Sequence, residues 1–414
     1  MTMIDLTPHI GAGSGVWWSQ TTAEPSPLVH ALMRQIPEIG PVRAFVGMSL
    51  DRTFADAVPD QLSVVSYGGL GELRKLSARG LLDVVPCHYS ALPSLFEQKL
   101  LPCDVGMIQV SRPDADGYCS LGVGVDYVED AIPHTPVLIA EINTHMPVTH
   151  GAMKLHISQF AATVETDRPL PEVPDRTPAD VETAIAANVA GLVSDGDTIQ
   201  IGVGSLPGAV LVALSDHRDL GLHSGIISDG IVALVDSGVL TGARKEIDPG
   251  VLVTGAALGT SALYDRLADL PIEFRPASYT HAPKVLSRLS TLVAINSAIE
   301  VDLSGQVGSE TRGEEYVGAV GGQVDFCRAA SLTGGRSIIA LRSTSRGEST
   351  IKAALDFGSV TTGRSDVDFV VTEHGVASLR GVGLAERARR LTAVAAPEHR
   401  ELLERSLTEP DCTS

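Results

Sequence analysis

Short apolar runs, many rich in β-branched residues, alternate with helix-like stretches almost from end to end of the chain. That alternation restricts the fold more than any other feature. Strands are expected at 42–50, 62–69, 82–88, 105–111 and 137–143 in the first part, and at 198–202, 251–256, 292–298, 337–341 and 367–371 in the second. Helix-like stretches such as 207–214, 231–237 and 385–391 fall between strands. A strand apolar along its whole length has to be covered on both faces, and the helices that follow such strands supply the cover. The expected class is therefore α/β, with parallel sheets.

Between the two series lies TDRPLPEVPDRTPADVET, residues 166–183, with four prolines and several charges. Proline-rich backbone forms neither helix interior nor central strand. The boundary is placed there, giving one domain over 1–170 and another over 180–414, with the active site at their interface. Thr177 followed by Pro178 reads as a helix N-cap with proline at the first helical position. The length of 414 residues agrees with two or three domains of roughly 150 residues each.

Lys and Arg number 31 against 50 Asp and Glu, a formal net charge of -19. Such an acidic chain is a poor match for duplex nucleic acid or an anionic membrane surface, both of which need basic patches. A phosphorylated ligand is still compatible, because a few local cations and backbone N–H groups suffice to bind one. With 44% hydrophobic and 20% charged residues, the composition excludes a mostly disordered chain. No apolar run reaches the roughly 18 residues of a membrane span, and MTMIDLTPHIGAG lacks the blocks of a signal peptide. Cys87, Cys103, Cys119, Cys327 and Cys412 are scattered and form no CxxC. They read as reduced thiols of a cytoplasmic protein without a zinc site.

The sharpest local motif is DTIQIGVGSLPG, residues 197–208. A strand runs into a glycine turn, Gly202-Val203-Gly204, and then through Ser205 and Leu206 into a helix starting near Pro207. Glycines let a ligand approach the backbone, and N–H groups at a helix start favour an anion or a developing oxyanion. A nicotinamide dinucleotide would want G-x-G-x-x-G and an acidic residue about 20 positions on. Here the third glycine comes one place late and Asp219 lies in a turn-like stretch, so that reading is weak. A second cluster, GAVGGQVD, supplies Gly318, Gly321 and Gly322 before an expected helix at 326–330. Two glycine loops in one domain suggest a long ligand gripped at more than one point; tight turns between strand and helix are the plain alternative. Arg336, just after Gly334 and Gly335, is a candidate for a phosphate.

Polar residues also end several apolar runs, where open α/β sheets bind ligands. LVAINSAIEVDL places Asn296 and Glu300 beyond a buried-looking strand. A carboxylate in so apolar a setting is costly unless paired or functional, which makes Glu300 a catalytic candidate. The competing reading gives it a fixed hydrogen bond to backbone. Glu141 to His145, and Glu373 with His374, have the same position, with loop anchoring as the plain reading. His223, Ser224 and Asp229 lie close in sequence, but proximity along the chain is no evidence for a triad, and no G-x-S-x-G elbow occurs. His145 and His150 lack the carboxylate series of a metal site.

Taken together, the chain resembles the acetyl-CoA hydrolase/transferase family, which includes 4-hydroxybutyrate and succinyl-CoA:acetate CoA-transferases. The resemblance runs through IQVSRPDADGYCSLG, AEINTHMP, IQIGVGSLPGAV, INSAIEVDLSGQVGSE, GGQVDF, GGRSIIALRST and VVTEHGVASLRG, in order and in both halves. It implies two similar open α/β domains with an acyl-CoA site between them, and, from relatives, a homodimer. It also implies CoA or acyl-CoA as substrate and a carboxylate acceptor, with no permanently bound cofactor and no metal. In such transferases a glutamate attacks the thioester, passing through an acyl anhydride to a glutamyl-CoA thioester. By resemblance, Gly202, Val203, Gly204, Ser205 and Leu206 meet the thioester's oxyanion, and Gly318, Gly321, Gly322 and Arg336 fall where relatives contact CoA.

The family's glutamate lies in a segment like H-T-E-x-x-S-D-G. Here that segment reads HSGIISDG, residues 223–230, and the glutamate position is Gly225. The usual tyrosine of the last block is His374. Three readings follow. The chain is a CoA-transferase or hydrolase using another carboxylate such as Glu300, or a general base acting on water, with Gly225 widening the pocket. Alternatively it performs an acyl transfer without an enzyme-bound CoA intermediate, or it is an inactive acyl-CoA-binding protein. Glu300→Gln is expected to abolish turnover with CoA binding intact, and Gly225→Glu to introduce or raise carboxylate-dependent CoA exchange.

Overall fold

The computed structural model describes residues 4–55, 58–313, 315–356 and 358–408. Cys412 and the first three residues of the N-terminal stretch lie outside them. Two sheets organise the chain. The first has seven strands in the order Leu82–Val84, Leu62–Ser66, Val42–Val46, Gly15–Trp18, Val105–Val110, Val137–Asn143 and Ala162–Thr166, all paired in parallel. The second has six, in the order Gly221–Leu222, Thr198–Ile201, Leu292–Ser297, Arg336–Ala340, Phe369–Thr372 and Gly375–Ser378. Only its last pair is antiparallel.

Strand Gly15–Trp18 sits mid-sheet, and its alternation explains two cores. Successive side chains point to opposite faces, so Trp17 enters one apolar cluster and Trp18 another. Each indole N–H finds a buried acceptor: Thr135 Oγ1 at 2.9 Å for Trp17 and Glu24 Oε1 at 3.2 Å for Trp18. The first cluster continues into the second half as far as Val371, so the two halves share apolar packing.

Residues of the second half also reach across in detail. Strand Ile226–Ile227 pairs with Ala256–Ala257, and Leu252–Thr254 with Ile272–Phe274. From there Ala256 bridges to Gly124 and Glu273 to His150, while Thr22 Oγ1 donates to Ala257 O at 2.8 Å. These contacts place the two small sheets of the second half against the first half.

Several expectations differ in detail. Residues 167–179 contain no helix or strand, but the following helix runs Asp180–Ala190 after an N-cap at Ala179. Pro178 therefore precedes the cap, and it is Glu182 that accepts the Ala179 N–H, at 2.9 Å. The helix after the first glycine turn begins at Ser205, ahead of Pro207. The expected strand at 251–256 belongs to a small two-stranded sheet.

Candidate active site

Strand Thr198–Ile201 ends in the turn Gly202-Val203-Gly204, and helix Ser205–Ala213 follows. Gly204 has φ +123° and ψ -177°, a conformation that side chains resist. A Cβ built on Gly202 or Gly204 meets no protein atom within 4 Å. Packing therefore does not explain these glycines; they leave bare backbone facing open space. The first N–H groups of the helix, at Ser205 and Leu206, have no acceptor within it and carry a partial positive charge. A cavity of about 110 Å³ opens here, bounded by Gly202, Val203, Leu206 and, across the strands, Asn296 and Ala340.

Ser224 fixes a second segment beside this turn. Its hydroxyl donates to Ile201 O at 2.8 Å, and its oxygen faces Ile201 N at 3.4 Å. The next residue is Gly225, whose carbonyl accepts from Gly255 N at 3.2 Å and Ala256 N at 3.1 Å. A Cβ on Gly225 would lie 2.7 Å from Cε1 and 2.8 Å from Nε2 of His281. A Cβ on Gly322 would collide with the same ring. The imidazole is buried, 5% exposed, between Tyr89 and Phe326, whose ring centres are 4.6 and 4.9 Å away.

Its tautomer follows from the neighbouring hydroxyl. Thr280 Oγ1 lies 3.2 Å from Pro276 O and 2.8 Å from His281 Nδ1. A hydroxyl has one proton, and both contacts are satisfied only if it goes to Pro276 O while Nδ1–H donates to Oγ1. The Nε2 lone pair then lies on the side of Gly225 and Gly322. Burial, with His223 nearby, pushes this histidine down to about 3, so the ring is neutral. Tyr89, which meets the imidazole ring to ring, belongs to a separate polar group: Gln20 Nε2 donates to Tyr89 Oη at 2.8 Å and to Asp126 Oδ2 at 2.9 Å. Burial raises Asp126 to about 6, and its backbone N–H donates to Gly255 O at 3.0 Å.

The other expected residues separate into groups. Gly318 and Gly321 come to the contact between the halves, where their carbonyls accept from Gly69 N and Tyr89 N, each at 2.9 Å. Arg336, expected past Gly334 and Gly335 to meet a phosphate, stands apart from the Gly202–Leu206 turn. It opens its strand and pairs with Asp197 at 2.6 Å. Asp197 precedes strand Thr198–Ile201 and Gly202 follows it, so the Arg336–Asp197 pair lies at the opposite end of the strands. Glu300 is buried in a three-stranded sheet with Val307–Gly308 and Ile351–Lys352, its Cγ 3.3 Å from a Cβ built on Gly308. It lines a cavity of about 190 Å³ with Arg312, Arg346 and Lys352.

His223, Ser224 and Asp229 form no triad. His223 Nε2 contacts Thr280 O at 3.1 Å, Ser224 clasps Ile201, and Asp229 Oδ1 accepts from Thr260 N at 2.9 Å. Glu141 anchors, with Arg168 Nε on Oε1 at 2.6 Å and Nη2 on Oε2 at 2.8 Å. Glu373 accepts from Ser343 N and Oγ at 2.9 and 2.6 Å, with His374 beside it. His145 pairs with Asp167 at 3.1 Å, and His150 contacts Ala268 O at 3.1 Å.

Sequence reasoning missed Gln20, Tyr89, Asp126 and His281, because they meet only in space. It also missed a cavity of about 460 Å³ lined by Leu206, Ser297, Arg312, Arg342 and Arg346. Leu206 and Ser297 also border the glycine-turn cavity, so the arginines stand next to it. Spacing along the chain offers no signal for this cluster.

Comparison with known proteins places this geometry. Residues 1–174 match the acetyl-CoA hydrolase/transferase N-terminal domain, and residues 259–407 match its C-terminal domain. The 4-hydroxybutyrate coenzyme A transferase of Clostridium kluyveri is 45% identical over 329 residues, 78% of this chain and 77% of that protein. The crystal structure of RipA from Yersinia pestis superposes with a TM-score of 0.91 at 34% identity, covering 97% of this chain and 95% of that one. A 4-hydroxybutyrate CoA-transferase from Porphyromonas gingivalis gives a TM-score of 0.81 at 36% identity, with coverage of 97% and 95%. With both domains matched in order, and relatives this similar over most of their length, the chain belongs to the acetyl-CoA hydrolase/transferase family.

Proposed function

We propose that the protein acts on acyl-CoA thioesters, as a CoA transferase or hydrolase, by a route without a glutamyl-CoA intermediate at position 225. The observation that carries this reading is the pairing of Gly225 with an imidazole that takes up the space next to it. Position 225 has no carboxylate to acylate, yet the turn beside it retains the features a thioester needs. Its bare backbone faces open space, and helix-start N–H groups are available to a developing oxyanion. The neighbouring arginine-lined cavity suits the phosphates of CoA, an anion otherwise mismatched to a chain of net charge -19. A cytoplasmic homodimer is part of the same proposal; the free thiols of buried Cys103, Cys119 and Cys327 support a reducing compartment.

The test is turnover followed by mass spectrometry, using short, branched and longer acyl-CoAs with and without acetate or succinate. A new acyl-CoA that requires the acceptor establishes transfer, and free CoA without one establishes hydrolysis. In either case the intact protein is expected to carry no covalently attached CoA. A CoA adduct on a glutamate would overturn the proposed route. Loss of turnover in Glu300→Gln with CoA binding intact would return the chemistry to Glu300. No turnover across the panel, with CoA still bound, would favour the acyl-CoA-binding alternative.

A further inference from the structure

We propose that His281 is the general base of an acyl-CoA hydrolysis at this site, its Nε2 activating the water that attacks the thioester. The inference rests on the reading that acyl-CoA binds at the Gly202–Leu206 turn, and deepens it by naming the base and the acceptor.

Three observations lead there independently of any pattern in the sequence. First, two glycines from distant parts of the chain, Gly225 and Gly322, both border the same imidazole, and a Cβ on either would collide with it. Both glycines are themselves partly exposed, whereas the ring they border is buried. Second, the Thr280 oxygen accepts from Nδ1–H when its own proton goes to Pro276 O, which leaves the lone pair on Nε2. Third, the Ser224 clasp on Ile201 holds Gly225 next to the turn whose N–H groups face open space. Gly225, which borders the ring, thus lies on a segment adjoining the oxyanion donors, and hydrolysis needs base and donors to face one carbonyl.

The steps balance as follows. The water oxygen bonds to the thioester carbonyl carbon while one water proton passes to Nε2, and the carbonyl oxygen becomes an oxyanion facing the helix-start N–H groups. Collapse of this intermediate breaks the C–S bond, and the sulfur leaves with the electron pair and takes the proton back from Nε2. Acyl-CoA and water become a carboxylic acid and the CoA thiol, and the acid then ionises. The ring returns to its neutral form. Burial keeps the imidazole unprotonated before each turnover; the same burial makes it a weak base, so the proton it takes passes on readily to the leaving sulfur. A carboxylate acceptor needs no such base, so the feature favours water over transfer.

The experiment uses the full chain and an acyl-CoA that the parent protein turns over. His281→Ala removes the ring and leaves a ring-sized space beside Gly225 and Gly322. Hydrolysis is expected to fall by about 100-fold or more, with CoA binding and the unfolding midpoint close to parental values. Added imidazole should then restore part of the rate. Pyrrole, a ring of the same size without a basic nitrogen, should not. Turnover within about threefold of the parent, or equal restoration by pyrrole and imidazole, would reduce His281 to packing and overturn the proposal. If His281→Ala does not fold, His281→Asn gives the decision: parental hydrolysis overturns the proposal, and loss with CoA still bound supports it. A parent protein that turns over no acyl-CoA defeats the underlying reading of function, whereas an active parent with an active His281 variant defeats only this one.

Discussion

Positions 225 and 281 compete for one volume. The distances of 2.7 and 2.8 Å from a Cβ at 225 to the imidazole are closer than nonbonded carbon and nitrogen atoms tolerate. The ring has little freedom to retreat, being buried between Tyr89 and Phe326 and bonded to Thr280. This changes what a glutamate restored at 225 should do. Gly225→Glu alone should destabilise the protein by about 1–3 kcal/mol, the range for an overpacked site, and should form no glutamyl-CoA. The double variant Gly225→Glu with His281→Ala relieves the collision and should form a CoA adduct, detectable as a mass increase on the peptide containing residue 225. An adduct in the single variant, at parental stability, would show that the ring moves freely and that the two positions are independent.

At the scale of elements, buried parallel strands were legible wherever the apolar run was long. Val105–Val110 is buried at every position, and a run of that kind gives the same reading from the sequence and in the fold. Strand Gly15–Trp18 was not expected, because four residues flanked by glycine and polar residues carry no such run. It nevertheless lies mid-sheet, held by two neighbours in parallel register and by its tryptophans. Edge strand Ala162–Thr166 was missed because it runs directly into the proline-rich segment. The glycine turn was legible, since a strand, two glycines and a helix are contiguous. His281 was not, because its importance comes from Gly225 and Gly322, which are remote in sequence. The Arg336–Asp197 pair was not legible, because sequence order does not say which strand starts lie side by side.

The edge strand also carries a prediction. Glu141, fully buried on strand Val137–Asn143, accepts from Thr166 Oγ1 at 2.6 Å and from two Arg168 nitrogens. Arg168 donates in addition to Glu24 O at 2.9 Å. Removing the carboxylate leaves a largely buried guanidinium without its partner, a loss typically of about 3–5 kcal/mol. Glu141→Ala should lower the denaturant midpoint accordingly, and Glu141→Ala combined with Arg168→Met should recover much of the loss. If the single variant unfolds at the parental midpoint, this pair does not hold the edge strand and the start of the connecting segment in place.

For the whole molecule, the difficulty is charge. A chain with net charge -19 repels a polyanionic ligand at distances shorter than the Debye length, about 8 Å at physiological salt. Local cations have to outweigh that field where the phosphates dock. Arg312, Arg342 and Arg346 line one cavity next to the glycine turn. Arg342 is tied to Glu182 at 2.8 Å, and Glu182 also accepts from Ser205 Oγ at 2.7 Å, so one arginine is linked through a carboxylate to the helix start. Arg312 and Arg346 are exposed and are the residues to test. Replacing both by Gln should weaken CoA binding by about tenfold or more, roughly 1.4 kcal/mol, and make it less sensitive to salt. An acyl-pantetheine without phosphates is the control, since in the proposed reading its thioester end meets the turn and not the arginines. Its turnover should be unchanged in the double variant. Calorimetry on CoA and turnover of the phosphate-free thioester separate the alternatives: equal loss for both ligands would mean that the substitutions disturb the turn, and unchanged CoA affinity would place the phosphates elsewhere.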